Sequence, residues 1–316
     1  MSYYPCELHT HTVHSDGDFK VNELQAAAVA EGYRLIALTD HNTYTGYDEI
    51  DNAVIPTVRG IEWTTFYGHM LVLGGGDFTD WRSATPDNID EKISYIRQNG
   101  GLVGVAHPFS FQSPICTGGK WQFNVKNWNL VNYIEVWHES LAPINVECDK
   151  AFSFWTALLD KGHKLAATNG RDWHRPEDFG YYGSTFLDME NVCAEEALNA
   201  IKLGRTVVSH GIEFYFEALQ NGKKFKIGDT VGMGECTLKF SLDRKAKLKN
   251  LKPHYFRPRV IRITTNGNTP VCELPVEEHE VKIEIQANHW YRAELLGTVD
   301  GVGRTLAFTS PIYCEY

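Results

Sequence analysis

The chain has 316 residues, enough for one large domain or a large and a small one. Its hydrophobic fraction of 43% and charged fraction of 22% are ordinary for a globular protein, and a formal charge of −10 argues against nonspecific binding to polymeric nucleic acid or an anionic membrane. Seven scattered cysteines without a CxxC pair, no leader-like pattern in MSYYPCELH and no run near ~20 apolar residues predict a reduced, cytoplasmic protein without a membrane partner.

Strand and helix signals alternate through the first two thirds. A strand at Tyr4–Leu8 is followed by a helical pattern over Val21–Glu31, then by strands at Leu35–Leu38, Thr57–Ile61 and Met70–Leu73. Over Pro86–Asn99 the residues Ile89, Ile93 and Ile96 form one apolar helical face, with Pro86 suited to the first turn and Asn99-Gly100-Gly101 to the end. Strands at Leu102–Ala106 and Tyr133–Val136, a helix over Ile144–Lys161, a strand at Leu165–Thr168, a helix over Ala194–Leu203 and a strand at Thr206–Ser209 complete the series. Apolar strands alternating with helices predict parallel βα units. The segment 112–132, rich in Trp, Asn and Gly, has no period and reads as a loop over the mouth of a site.

Beyond Gly211 the period changes to two, with runs at Glu213–Ala218, Thr237–Leu242, Val260–Thr265, Val281–Ile285, Tyr291–Leu296 and Thr305–Phe308. Turn signals at Asn221-Gly222, Asn266-Gly267-Asn268 and Asp300-Gly301 separate several of them. The pattern predicts a small antiparallel β-domain of the sandwich type over 212–316, after a larger α/β domain over 1–211.

Five short segments place metal-binding side chains just after or beside strand-like runs: ELHTHTVHSDG, IALTDHN, VRGIEWTTFYGHM, LVGVAHP and KLAATNGRDWH. In His9-Thr10-His11 the two imidazoles share one face of an extended chain, and Asp16 follows in a turn that can bring its carboxylate back. His41 ends a buried strand beside Asp40, a candidate orienter or ligand. Glu62 is a carboxylate able to bridge two ions; His69 and His107 lie beside further strands, and Asp172-Trp173-His174 repeats the spacing of the first pair. The C-terminal ends of strands in one sheet or barrel are where such distant residues converge.

As an ordered set, HTHTVHSDG, TDHN, GIEW with GHM, AHP and NGRDWH resemble the motifs of the PHP superfamily, named for polymerase and histidinol phosphatase. The portion from about 5 to 211 is similar to the CehA/McbA-like branch of metallohydrolases. The resemblance implies a distorted (β/α)7 barrel holding two or three divalent ions. It implies a first ion on His9, His11, Glu62 and Asp172, a second on Glu62, His69 and His107, and a third position on Asp16, His41 and His174.

Imidazole and carboxylate ligands without thiolate suit Mn, Fe or Zn. The expected chemistry is hydrolysis of a small-molecule phosphate ester by a metal-bridging hydroxide, with no Ser or Cys nucleophile required. Arg171, next to Asp172, is the expected phosphate contact; Lys120 is a second candidate, and His210 and Asp40 are further candidate catalytic residues. Trp63, Trp121, Trp128, Trp137 and Trp173 are candidates for stacking on a leaving group or for barrel packing. Cleavage of a carboxyl or carbamate ester at the same site, or a non-catalytic metal-holding module, are the competing readings.

Overall fold

The computed structural model describes residues 2–110, 121–139, 142–176, 182–243, 248 and 256–315. Lys120 and the first part of the expected mouth loop lie outside them. The N-terminal strands are β1 (Tyr3–Glu7), β2 (Leu35–Leu38), β3 (Thr57–Thr65), β4 (Gly68–Gly74), β5 (Gly101–Val105), β6 (Tyr133–His138), β7 (Ala166–Gly170), β8 (Ser184–Asp188) and β9 (Thr206–Ser209). Between them lie the helices α1 (Val21–Glu31), α2 (Ile89–Gln98), α3 (Val146–Asp160) and α4 (Ala194–Lys202).

These strands adjoin in the order β9-β8-β1-β2-β3-β4-β5-β6-β7. The expectation of parallel units holds for the pairs β1/β2, β2/β3, β5/β6 and β6/β7 only. β4 runs antiparallel to both β3 and β5, because a turn of just Phe66 and Tyr67 joins β3 to β4 and such a turn cannot make a parallel crossover. β8, absent from the expected strand list, pairs antiparallel with β1 and β9.

Past β1 the chain closes onto the far side of the sheet: His11 N–H donates to the Trp173 carbonyl at 2.9 Å and Trp173 N–H donates to the His9 carbonyl at 3.0 Å. β1 through β7 thus form a ring fastened at the end where the candidate ligands emerge.

The helices follow their apolar faces. Val21, Leu24 and Ala28 of α1 are buried, and Gly32 ends the helix at a φ of 103°. α2 begins at Ile89 rather than Pro86, because Asn88 Oδ1 accepts the Thr85 N–H at 2.8 Å while Thr85 Oγ1 accepts the Asn88 N–H at 3.3 Å, a local turn that competes with helix.

The remaining strands are β10 (Glu213–Gln220), β11 (Lys223–Phe225), β12 (Thr230–Val231), β13 (Gly234–Asp243), β14 (Phe256–Thr265), β15 (Thr269–Pro275), β16 (Glu280–Ile285), β17 (His289–Val299), β18 (Val302–Thr309) and β19 (Ile312–Cys314). β11-β10-β13-β16 form a separate four-stranded sheet. Its Phe214, Phe216, Leu238 and Ile283 share one core with Ile261, Ile263, Ala293 and Leu295 of β14 and β17. β18 pairs antiparallel with β9, so the large sheet continues from the first part of the chain into the second. Further ties are Ala167 N–H to Ser310 Oγ at 2.9 Å, Trp290 Nε1–H to Asp160 at 2.9 Å and the buried Arg292 to Thr156 at 2.8 Å. Among the described residues no helix is long and apolar enough to cross a membrane.

Candidate metal centre

The ring brings all nine expected ligands to one end. His9 and His11 leave β1 side by side, Glu62 lies in β3 with His41 bridged to it, and His69 lies in β4. His107 follows β5, and Asp172 and His174 follow β7. Backbone strain gathers here: His107, Glu139 and Asp172 adopt positive φ values of 24°, 54° and 51°, conformations that non-glycine residues hold only when surrounding structure imposes them.

At the centre, His9 Nε2 and His11 Nε2 each lie 3.3 Å from Glu62 Oε2. They lie 3.2 and 3.0 Å from Asp172 Oδ1. All four atoms are buried and none makes a well-directed hydrogen bond. Buried polar atoms are seldom left so, and one shared cation would satisfy all four. Ligand atoms about 2.0 Å from one tetrahedral ion stand about 3.3 Å apart. The spacing therefore fits a small divalent cation.

Glu62 also faces the other way. Its Oε1 lies 2.6 Å from His69 Nδ1 and 3.0 Å from His107 Nε2. On the solvent side, Asp16 Oδ1 lies 3.1 Å from His174 Nε2, 3.5 Å from His41 Nε2 and 4.0 Å from His11 Nδ1. His41 Nδ1 is 2.9 Å from Glu62 Oε2 and 2.6 Å from Thr64 Oγ1.

Charge coupling among these groups is strong. Burial lowers the His9 pKa, but Asp172, Glu135 and Glu62 outweigh it and hold the imidazole well above its ordinary range. His41 is likewise depressed by burial, yet Glu62 and Asp16 raise it to about 10. Burial pushes Glu62 and Asp172 up, and their histidine neighbours bring both well below the usual carboxylate range. The neighbouring carboxylates thus favour the protonated forms of His9 and His41.

Surrounding groups set the orientation. His9 Nδ1–H donates to Glu135 Oε2 at 3.0 Å, leaving the Nε2 lone pair toward the centre. His174 Nδ1–H donates to the Asp172 carbonyl at 2.8 Å. Glu7, buried beneath the centre, accepts the backbone N–H of His9 at 3.0 Å and of Arg171 at 2.9 Å, and burial lifts its pKa to about 7. Nothing in the sequence singled out Glu7, an interior strand residue.

Of the three expected catalytic residues, Arg171 lines a cavity beside Asp172 and His174, while Asp40 and His210 are not among its lining residues. Asp40 accepts Thr12 N–H at 2.7 Å, Thr12 Oγ–H at 2.8 Å and Ser15 Oγ–H at 2.7 Å, so it braces the loop carrying His11 and Asp16. The Arg171 guanidinium donates to Glu31 at 2.6 Å and lies between the rings of Trp173 and Tyr182, at 3.9 and 3.8 Å. Its Nη1 is thus paired with Glu31, while Nε and Nη2 make no hydrogen bond among the described residues. His210 is packed between Trp137 and Phe256, and burial lowers its pKa to about 4. Of the tryptophans, Trp63 is buried and donates to the Thr79 carbonyl, and Trp137 packs on Phe308. Trp173 is edge-on to Phe19 and also borders a cavity. His14 pairs with Glu49 at 2.9 Å. The cavity, of about 270 Å³, is lined by Glu139, Arg171, Asp172, His174, Arg175 and Tyr182 among others, and opens directly beside two of the expected ligands.

Known proteins show partial likenesses to this chain. The model of the PHP domain family matches residues 7–73. An uncharacterized protein of Methanocaldococcus jannaschii is 28% identical over 109 residues, a stretch that covers 34% of this chain and 48% of that protein. The match thus spans about half of the relative's length. Among solved structures, a two-domain protein of Bacteroides vulgatus containing a predicted PHP-like metal-dependent phosphoesterase superposes with a TM-score of 0.54 at 15% identity, covering 98% of this chain and 95% of that one. A protein of Bifidobacterium adolescentis, described as a candidate metal-dependent phosphoesterase, gives a TM-score of 0.43 at 17% identity over 62% of this chain and 94% of that one.

Proposed function

Taking this chain as a PHP-domain protein, we propose that it is a metal-dependent hydrolase that cleaves a small phosphomonoester. The observation that carries the proposal is the set of four buried ligand atoms, none with a well-directed hydrogen bond, around Glu62 Oε2 and Asp172 Oδ1. In this reading residues 1–211 form a distorted (β/α)7 barrel of the CehA/McbA-like branch, and 212–316 form a sandwich-like β-domain packed on it.

His9, His11, Glu62 and Asp172 would hold one divalent ion, with Glu62, His69 and His107 around a second and Asp16, His41 and His174 around a third. Mn, Fe or Zn ions at these positions supply the Lewis acidity and the lowered pKa of water that ester hydrolysis needs.

The protein's own residues prepare that chemistry. Glu135 fixes the His9 tautomer, Asp40 fixes the His11–Asp16 loop, and Glu7 pins the two backbone segments that carry His9 and Asp172. The chain carries −10 overall, so attraction for a phosphate comes from the bound cations and from Arg175, a cation at the rim of the adjoining cavity. A cavity of about 270 Å³ accommodates a phosphoryl group with a small leaving group and suits a small molecule better than a polymer.

The test is phosphate release by manganese-loaded protein from a panel of phosphomonoesters, with His107→Ala as control. Release that disappears in the control supports the proposal. A metal-loaded protein inert toward every phosphate ester but active on carboxyl or carbamate esters would overturn the substrate class and keep the hydrolase.

A further inference from the structure

β6 does not run regularly beside β7. Glu135 pairs with Thr168 and Trp137 with the next residue, Asn169, so Val136 is an extra residue in the strand. In a regular strand, Glu135 and His138, three positions apart, point to opposite faces. The bulge changes that parity and turns both toward the ligand cluster. Glu135 reaches His9, and His138 Nε2 lies 3.9 Å from Asp172 Oδ2.

His138 is 3% exposed, its ring centroid is 4.8 Å from that of His107, and its Nε2 is buried without a hydrogen-bond partner. His107 Nε2 is also 3.9 Å from Asp172 Oδ2, and it is 3.0 Å from Glu62 Oε1. Asp172 therefore divides its oxygens as Glu62 does. Oδ1 faces His9 and His11, while Oδ2 faces the His107 and His138 pair.

We propose that His138 is a further metal ligand, which together with Asp172 Oδ2 completes the position bordered by Glu62 Oε1, His69 and His107. This rests on reading the cluster as a metal centre, but adds a residue outside the nine of the sequence motifs. An imidazole nitrogen buried for packing alone would leave a polar atom unpaired at a cost that a shared cation removes. Glu139, whose carboxylate is 3.5 Å from His138 Nε2, flanks the position on its solvent side and lines the cavity.

The experiment is a count of ions per chain, by elemental mass spectrometry, after dialysis of the full-length protein against a series of fixed free Mn²⁺ concentrations. Wild type is compared with His138→Ala and with His138→Phe, which keeps a ring in place but removes the donor; circular dichroism confirms the fold. The proposal expects both variants to require at least tenfold more free Mn²⁺ to fill one position while the His9 and His11 position fills as in wild type. If one variant fails to fold, the other decides. Filling of every position by a folded variant at wild-type concentrations overturns the ligand assignment alone. Wild type that takes up no metal overturns the metal centre and this ligand with it.

Discussion

Glu135 receives the Nδ1 proton of His9 at 3.0 Å across a sequence separation of 126 residues, and Gly170 makes room for it. A Cβ at position 170 would collide with Glu135 Oε2 and approach His9 Cβ to 2.7 Å. Glu135→Gln keeps the shape but weakens the proton acceptor, so metal affinity is expected to fall about 10- to 100-fold with the fold retained. Gly170→Ala should produce a similar loss by displacing Glu135. Metal titration calorimetry measures both.

Asp40 supports the site through its loop. Three hydrogen bonds from Thr12 and Ser15 end on its buried carboxylate. Asp40→Ala should cost about 3 kcal/mol of stability and lower turnover by releasing Asp16 from His41 and His174. Urea denaturation gives the first quantity and steady-state kinetics the second.

Arg171 is expected to behave as a structural cation. Its pair with Glu31 is buried, with side-chain exposures of 1% and 14%. Arg171→Ala should destabilise the protein by roughly 3 kcal/mol with little change in KM. A large rise in KM with unchanged stability would return Arg171 to the substrate.

Cation binding should expel protons. Carboxylates hold His9 well above its ordinary range and His41 near 10, so both carry protons at neutral pH when no ion is bound. A ligand must lose that proton to bind metal, so affinity should rise with pH. Titration of weakly buffered protein with Mn²⁺ should release acid, measurable with a pH-sensitive dye, and the His9→Ala variant should release less.

Where the chemistry sat at strand ends, the sequence was readable. Most of the nine expected ligands lie within a few residues of an apolar run, and periodicity located those runs; Asp16 lies instead in the turn after His11. What it could not convey was direction. Arg171 and Asp40 each precede an expected ligand by one residue, yet Asp40 turns to Thr12 and Ser15 and Arg171 to Glu31, contacts that neighbouring letters do not convey. His210 was misread because β14 supplies Phe256 from much later in the chain. The bulge at Val136 has no marker in the letters YIEVWH, which hid the convergence of Glu135 and His138. β8 escaped notice because only two of its residues, Phe186 and Leu187, form an apolar run.

The ladder between β9 and β18 governs how this protein can be shortened. A chain ended at 211 would keep every candidate ligand but leave β9 as an open strand edge, its N–H and C=O groups free to recruit another copy. It would also strip Thr156 and Asp160 of Arg292 and Trp290. The C-terminal part is therefore an architectural neighbour of the ligands without being a detachable module. The half that carries the candidate ligands and the β-rich half are expected to unfold together.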